Sequence, residues 1–229
     1  MADAAAAPIR HPLVGRGHIG WAPHDINWRT ATLFMVGSAC FALGALPGYA
    51  SLVPTSVVGL TFFIGSIFFT SAGFSQLTQV IRAGRAAGAT SAIQLHRVDW
   101  WGCAVQSVGT LWFNVNTFFA MKTGFTVHEQ NLRIWGPDIY GSICFLVASE
   151  LAIWSVCHRA ICICREEGDW WIAVINMVGS IFFMISALAA FVVPDTGDLL
   201  DAALANSGTL LGALCFFWAA RLLITDDGS

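Results

Sequence analysis

Apolar residues come in long runs along this chain, separated by short polar breaks. Six stretches, 29–49, 53–81, 101–121, 138–161, 171–193 and 200–224, each reach the roughly 20 residues that a helix needs to cross a bilayer core. The second is long enough to leave the bilayer and continue as an amphipathic segment. Lipid offers no hydrogen bond to a backbone, so a spanning segment must be a helix or belong to a closed barrel, and the alternating ten-residue strands of a barrel are absent. The pattern predicts an all-α, polytopic bundle of six transmembrane helices.

Charge gives the bundle a direction. One side collects Arg10, Arg16, Arg29, Arg82, Arg85, Arg97, Arg159, Arg165 and Arg221, while the opposite loops hold only Lys122 and Arg133. The positive-inside bias then puts both termini and the loops after the second and fourth spans in the cytoplasm of a cell with this protein in its inner (plasma) membrane. Trp28, Trp100, Trp101, Trp170 and Trp171 fall at the inner ends of spans, where an amphipathic indole favours the headgroup layer.

Composition agrees. Hydrophobic residues make up 56% of the chain and charged residues 11%, less than half of the roughly 25% carried by a soluble domain, so lipid is the expected solvent. The net charge of −3 and the lack of a basic tract exclude a nucleic-acid-binding surface. Residues 1–27 hold prolines, glycines and three histidines (His11, His18 and His24) but no apolar segment, which reads as an aqueous arm and not as a signal peptide. Seven cysteines, an odd number lying mostly in apolar segments or on one inner loop, argue against a secreted disulfide framework.

The chain is also self-similar. Asn27-Trp28, Asp99-Trp100 and Asp169-Trp170 open the first, third and fifth spans, and a glycine follows each tryptophan nine residues on. The frames around these glycines are Val36-Gly37-Ser38, Val108-Gly109-Thr110 and Val178-Gly179-Ser180, each with a phenylalanine four residues after the glycine. The other three spans carry a weaker echo at Gly65-Ser66, Gly141-Ser142 and Gly212-Ala213. Subtracting positions gives steps of 72 and 70 residues for the first set and 76 and 71 for the second. Three two-helix units follow, residues 28–98, 99–168 and 169–229, after the 1–27 arm. Each unit ends on the side where it began, so the copies are parallel and imply pseudo-threefold symmetry about the membrane normal. Glycine next to serine or threonine lets helices approach closely, which makes Gly37, Gly65, Gly109, Gly141, Gly179 and Gly212 the expected packing motif.

On those motifs each unit resembles a YrhK-like domain, a small two-helix membrane domain with a Phe-x-x-Gly-Ser-x-x-Phe style first helix and a Gly-Ser second helix. The resemblance covers about three-quarters of the chain and departs from the pattern at Ala213. It implies the architecture and a bacterial origin, and brings no assigned chemistry.

Intramembrane ionisable and polar groups are the natural candidates for a site. Glu150 and Arg221 occupy equivalent positions and, with Gln76, Asn114 and Asn116, form either an ion or proton relay along the axis or a set of interhelical contacts. Gln106 and Gln79 stand nearby in sequence, although Asn114 and Asn116 diverge by about 200° around a helix and cannot share one pore. Cys157, His158, Cys162 and Cys164 carry metal-ligating atoms, but at a spacing that matches no standard zinc or iron–sulfur signature. No nucleotide loop, serine triad or zinc-protease motif is present. Three functional classes remain: a non-enzymatic scaffold or accessory subunit, a small channel or transporter along the repeat axis, and a metal- or redox-cofactor protein. The expected partners are the lipid bilayer and a membrane protein or second copy, with lipid the companion molecule and no cofactor strongly implied.

Overall fold

The computed structural model describes residues 22–157, 163 and 168–225, which are helical almost throughout. The elements are α1 (Ile26–Ala45), α2 (Tyr49–Leu52), α3 (Thr55–Ala86), α4 (Val98–Ala120), α5 (Val127–Gln130), a π-helical turn (Asn131–Trp135), α6 (Gly136–Cys157), α7 (Gly168–Ala189) and α8 (Ala202–Thr225). Four helical segments are long and apolar enough to cross a membrane: Thr55–Ala86, Val127–Cys157, Gly168–Ala189 and Ala202–Ile224. The protein is therefore all-helical and has the character of a multi-pass membrane protein. Helices α1 and α4 are of similar length but more polar, carrying Asn27, Arg29 and Thr30 in one case and Gln106, Asn114 and Asn116 in the other.

Local chemistry explains most of the boundaries. Asp25 caps α1, its Oδ1 accepting from the amides of Asn27 (2.7 Å) and Trp28 (3.3 Å). Thr126 and Glu129 form a reciprocal capping box at α5, and Asp201 Oδ1 accepts from Leu204 N at 2.9 Å to open α8. Helix α3 stops at Gly88, whose φ of +99° lets the amide of Ala89 turn back to Gly84 O. Helix α7 ends at Ala189, short of the expected 193. Pro194 disfavours helix at the residue before it, and the chain instead makes a tight loop in which Val192 and Leu199 form an isolated β-bridge. Among the described residues there is no strand beyond that bridge.

The six long helices pack in a closed ring, in the order α1, α3, α4, α6, α7, α8 and back to α1. Small residues draw them together. A Cβ on Gly37 would stand 2.7 Å from Phe69 Cδ2 and 3.0 Å from Gly65 O. On Gly109 it would meet Cys144 Cβ and Phe145 Cδ2 at 2.8 Å, and on Gly212 it would meet Gly179 O at 3.0 Å. Gly65, Gly141 and Gly179 are equally tight, so each of the three pairs α1/α3, α4/α6 and α7/α8 crosses at facing glycines. Hydroxyls link two of the three remaining neighbour pairs: Ser66 to Thr117 (2.9 Å) between α3 and α4, and Ser149 to Ser180 (2.8 Å) between α6 and α7.

At the centre of the ring each long helix contributes one phenylalanine. Phe41, Phe113 and Phe183 form one triangle, with centroids 6.4, 6.1 and 6.0 Å apart. Phe69, Phe145 and Phe216 form a second, at 6.2, 5.9 and 5.4 Å. The layers meet ring to ring at 5.4, 5.1 and 5.4 Å, all within the range of favourable aromatic pairing. The outer surface is apolar too, and hydroxyls lie inside beside the phenylalanines. Ser38, Ser66, Thr110, Ser142 and Ser180 are fully buried, while Ile64, Val108, Val147, Ile181, Leu211 and Trp218 are exposed. Such a surface is natural against lipid and would be an aggregation liability in water.

Candidate functional site

Below the phenylalanine layers lies a cavity of about 100 Å³, to which all six long helices contribute. Phe216 forms part of both the aromatic cluster and the cavity wall, and Phe34, packed edge-on against Phe69 at 5.5 Å, lines it beside that cluster. Leu223, Ala148 and Ala173 supply apolar wall, while Gln76, Gln106, Asn176, Asp99, Asp169 and Ser155 supply the polar groups. The volume is several times what one water requires.

Helical phase puts the three carboxamides there. Gln76 follows buried Ala72 by one turn on α3 and precedes buried Val80 by another. Gln106 stands between buried Cys103 and Thr110 on α4, and Asn176 between buried Ala173 and Ser180 on α7. Residues three and four apart share a helix face, so each amide is carried inward on the packed stripe. The Oε1 of Gln76 is buried with no hydrogen-bond partner. Gln106 and Asn176 form no hydrogen bond to another described residue. Three carboxamides without protein partners, inside a bundle otherwise rich in interhelical bonds, face one space.

The Asp99 end of the cavity is fixed by an ion pair. Arg97 Nε donates to Asp99 Oδ1 at 3.1 Å and its Nη2 meets Oδ2, a two-point pairing that holds Asp99 in place. Arg97 Nη1 also donates to Gln94 Oε1 at 3.0 Å, and Gln94, only 1% exposed, donates to Ile81 O at 3.1 Å. The loop before α4 is thereby tied to the end of α3. On the same side the Trp100–Trp101 and Trp170–Trp171 pairs stand edge to face at 5.1 and 4.9 Å.

The other sequence candidates lie elsewhere. Glu150 is exposed, on the outward stripe of α6 with Ile143, Val147 and Trp154, and so faces away from the axis. Its helix turn lies beside Gly102, since Ala148 O and Leu151 Cβ are the atoms a Cβ there would meet, one residue from Trp101 and the tryptophan level. Glu150 and Arg221 form no ion pair, because α6 and α8 are not neighbours in the ring. An axial relay through Glu150 is corrected on this geometry. Asn114 Nδ2 donates to Thr70 Oγ1 at 2.8 Å, joining α3 to α4, and Asn116 Nδ2 donates to Ile134 O at 2.9 Å in the π-helical turn. Of the predicted set, only Gln76 lines the cavity. Cys157 is disulfide-bonded and offers no thiolate to a metal, while His158, Cys162 and Cys164 lie outside the described residues. Among the described residues no group of three or more His, Cys, Asp or Glu side chains is placed to hold a metal ion.

Asn176 was not singled out from the sequence, yet a signal existed. Gln106 and Asn176 both stand three residues before the motif glycines Gly109 and Gly179. A polar residue at one fixed step from a buried glycine is a marker of an inward position. No protein-family model, curated protein or solved structure matches this chain.

Proposed function

We propose that this protein is a non-enzymatic scaffold or accessory subunit of a membrane assembly, spanning the bilayer six times as three parallel two-helix units. The carrying observation is the double layer of phenylalanines, which fills the axis where a conduction path would run. Support for six spans is the closed ring, in which α1 and α4 are as fully integrated as the four more apolar helices. Support for three units is the recurrence of the glycine crossing at α1/α3, α4/α6 and α7/α8. The resemblance to YrhK-like domains rests on the motif residues themselves. The inner-membrane setting with cytoplasmic termini rests on the arginine asymmetry and the tryptophan positions.

Native mass spectrometry of the protein extracted gently from its own membrane tests this role. A second polypeptide, or a second copy, in fixed stoichiometry is the expected result, whereas a bare monomer with lipid alone sinks it. One observation favours a second reading, a gated solute path: the carboxamide-lined cavity lies directly under the plug. Solute flux into liposomes carrying the purified protein, above that of empty liposomes, would support this alternative.

A further inference from the structure

We propose that the outward face of α4 and α6 is a docking surface for a transmembrane helix of another chain, one carrying a lysine or arginine level with Glu150. The proposal rests on the scaffold reading and names the partner's chemistry. Tyr140, Ile143, Val147, Glu150 and Trp154 are all exposed and, spaced three and four apart, form one stripe of α6. Val108, Leu111, Trp112 and Val115 are exposed on α4, and Trp112 packs on Tyr140 at 5.3 Å, which joins the two stripes into one face. Glu150 interrupts that apolar face with a carboxylate that forms no ion pair and no hydrogen bond among the described residues. It stands five residues beyond Phe145 of the aromatic layer and seven before the end of α6. Those steps are about 7.5 Å and 10.5 Å along a helix axis, which puts Glu150 inside a hydrocarbon half-layer of about 15 Å. The Cα–Cβ bond of a helical residue tilts toward the helix start, which carries Glu150 toward the middle of the span and away from the nearer headgroups. An ionisable group left there without a partner is costly. Phe74 makes the contrast: at the same step from its glycine on α3 it is exposed and apolar, as lipid alone favours. The complement of a carboxylate is a cation, and a helix is the element that brings one to this depth. A second copy docked symmetrically would set Glu150 against Glu150, so the partner is a different chain.

The test is resonance energy transfer in liposomes between the labelled full chain and a labelled synthetic peptide. The peptide is a leucine–alanine helix of transmembrane length, with one lysine set off its middle by the same rise as Glu150 from Phe145. A second peptide has leucine in place of the lysine. Saturable transfer is expected with the lysine peptide, about tenfold weaker with the leucine peptide and with Glu150→Gln. Glu150→Lys should reverse the preference and bind a glutamate peptide in place of the lysine one. The comparison of peptides on the native chain holds whether or not a variant folds. Equal transfer from the lysine and leucine peptides, or undiminished binding by Glu150→Gln, would overturn the proposal. Loss of peptide binding on adding phosphatidylethanolamine would overturn it by assigning the carboxylate to a lipid ammonium. Transfer between labelled copies of the chain that Glu150→Gln abolishes would overturn it by assigning the face to a second copy. A partner still bound to Glu150→Gln in the native mass spectrum would keep the scaffold reading and overturn this one.

Discussion

Single residues decide how closely these helices lie. Gly109 has no room for a methyl group: a Cβ there would stand 2.8 Å from Cys144 Cβ and from Phe145 Cδ2, the second belonging to the central aromatic cluster. Overpacking of this kind costs about 1–3 kcal/mol, so Gly109→Ala should lower the thermal midpoint in detergent. Gly102 provides the contrast, since its nearest neighbour would be Leu151 Cβ at 3.6 Å, an ordinary contact. Gly102→Ala should leave the midpoint unchanged, and equal losses at both glycines would mean that helix approach is not what Gly109 provides. Glu150 makes a different point. Its sequence position suggests an acid deep in a span, but a residue's depth and its facing direction are separate quantities, and only packing sets the second. Exposed and unbonded to other described residues, it should tolerate Glu150→Gln within about 0.5 kcal/mol by the same thermal measurement. A large loss would show that the carboxylate holds something on the outer face.

At the scale of elements, periodicity and small-residue motifs made the long helices legible, while their ends depended on side-chain contacts between segments far apart in sequence. The start of α6 is the clearest case. A π-helical turn, Asn131–Trp135, joins α5 to α6 without a break, where the hydrophobic run alone begins only at 138. Asn131 anchors this turn to the loop after α7: its Nδ2 donates to Val192 O at 2.7 Å and its Oδ1 accepts from Val192 N at 3.0 Å. Trp135 Nε1 adds a bond to Ala187 O at 2.9 Å, and its ring packs against Phe191 at 5.0 Å. A π-turn widens the helix by one residue per turn and here re-aims Asn131 and Trp135 toward α7, a placement that no local pattern encodes. Asn131→Ala removes both bonds to Val192 and should cost about 1–3 kcal/mol. Hydrogen exchange reads it directly: the Val192 amide should exchange faster while amides of the α7 interior keep their protection. Unchanged exchange at Val192 would mean that the loop is held without Asn131.

For the whole molecule the governing feature is the contrast between a dry aromatic layer and a polar cavity on one side of it. The sequence showed a phenylalanine four residues after each glycine of the first motif, but not that six rings from six helices converge on one point; convergence needs the ring to close, which only α8 packing on α1 achieves. The carboxamides were partly hidden for the same reason, because an inward-facing glutamine looks like any other polar residue until its neighbours are known. Closure has a functional consequence. Phe145, 1% exposed, touches Phe69, Phe113, Phe183 and Phe216, as many of the six rings as Phe183 does and with less exposure, so its loss opens the centre of the layer. Truncation of a buried phenylalanine to alanine costs about 3–5 kcal/mol, so the fold of Phe145→Ala is checked by circular dichroism before its flux is read. Liposomes carrying the native protein should pass a small polar solute such as urea no faster than empty ones, and Phe145→Ala should raise that rate if the aromatic layer is the barrier. Native flux well above background would mean that the layer opens in the membrane and would favour the transport reading over the scaffold. A folded Phe145→Ala protein that stays tight would instead place the barrier in the bonded layer beyond it, where Ser66 meets Thr117 and Ser186 meets Thr209 at 2.7 Å.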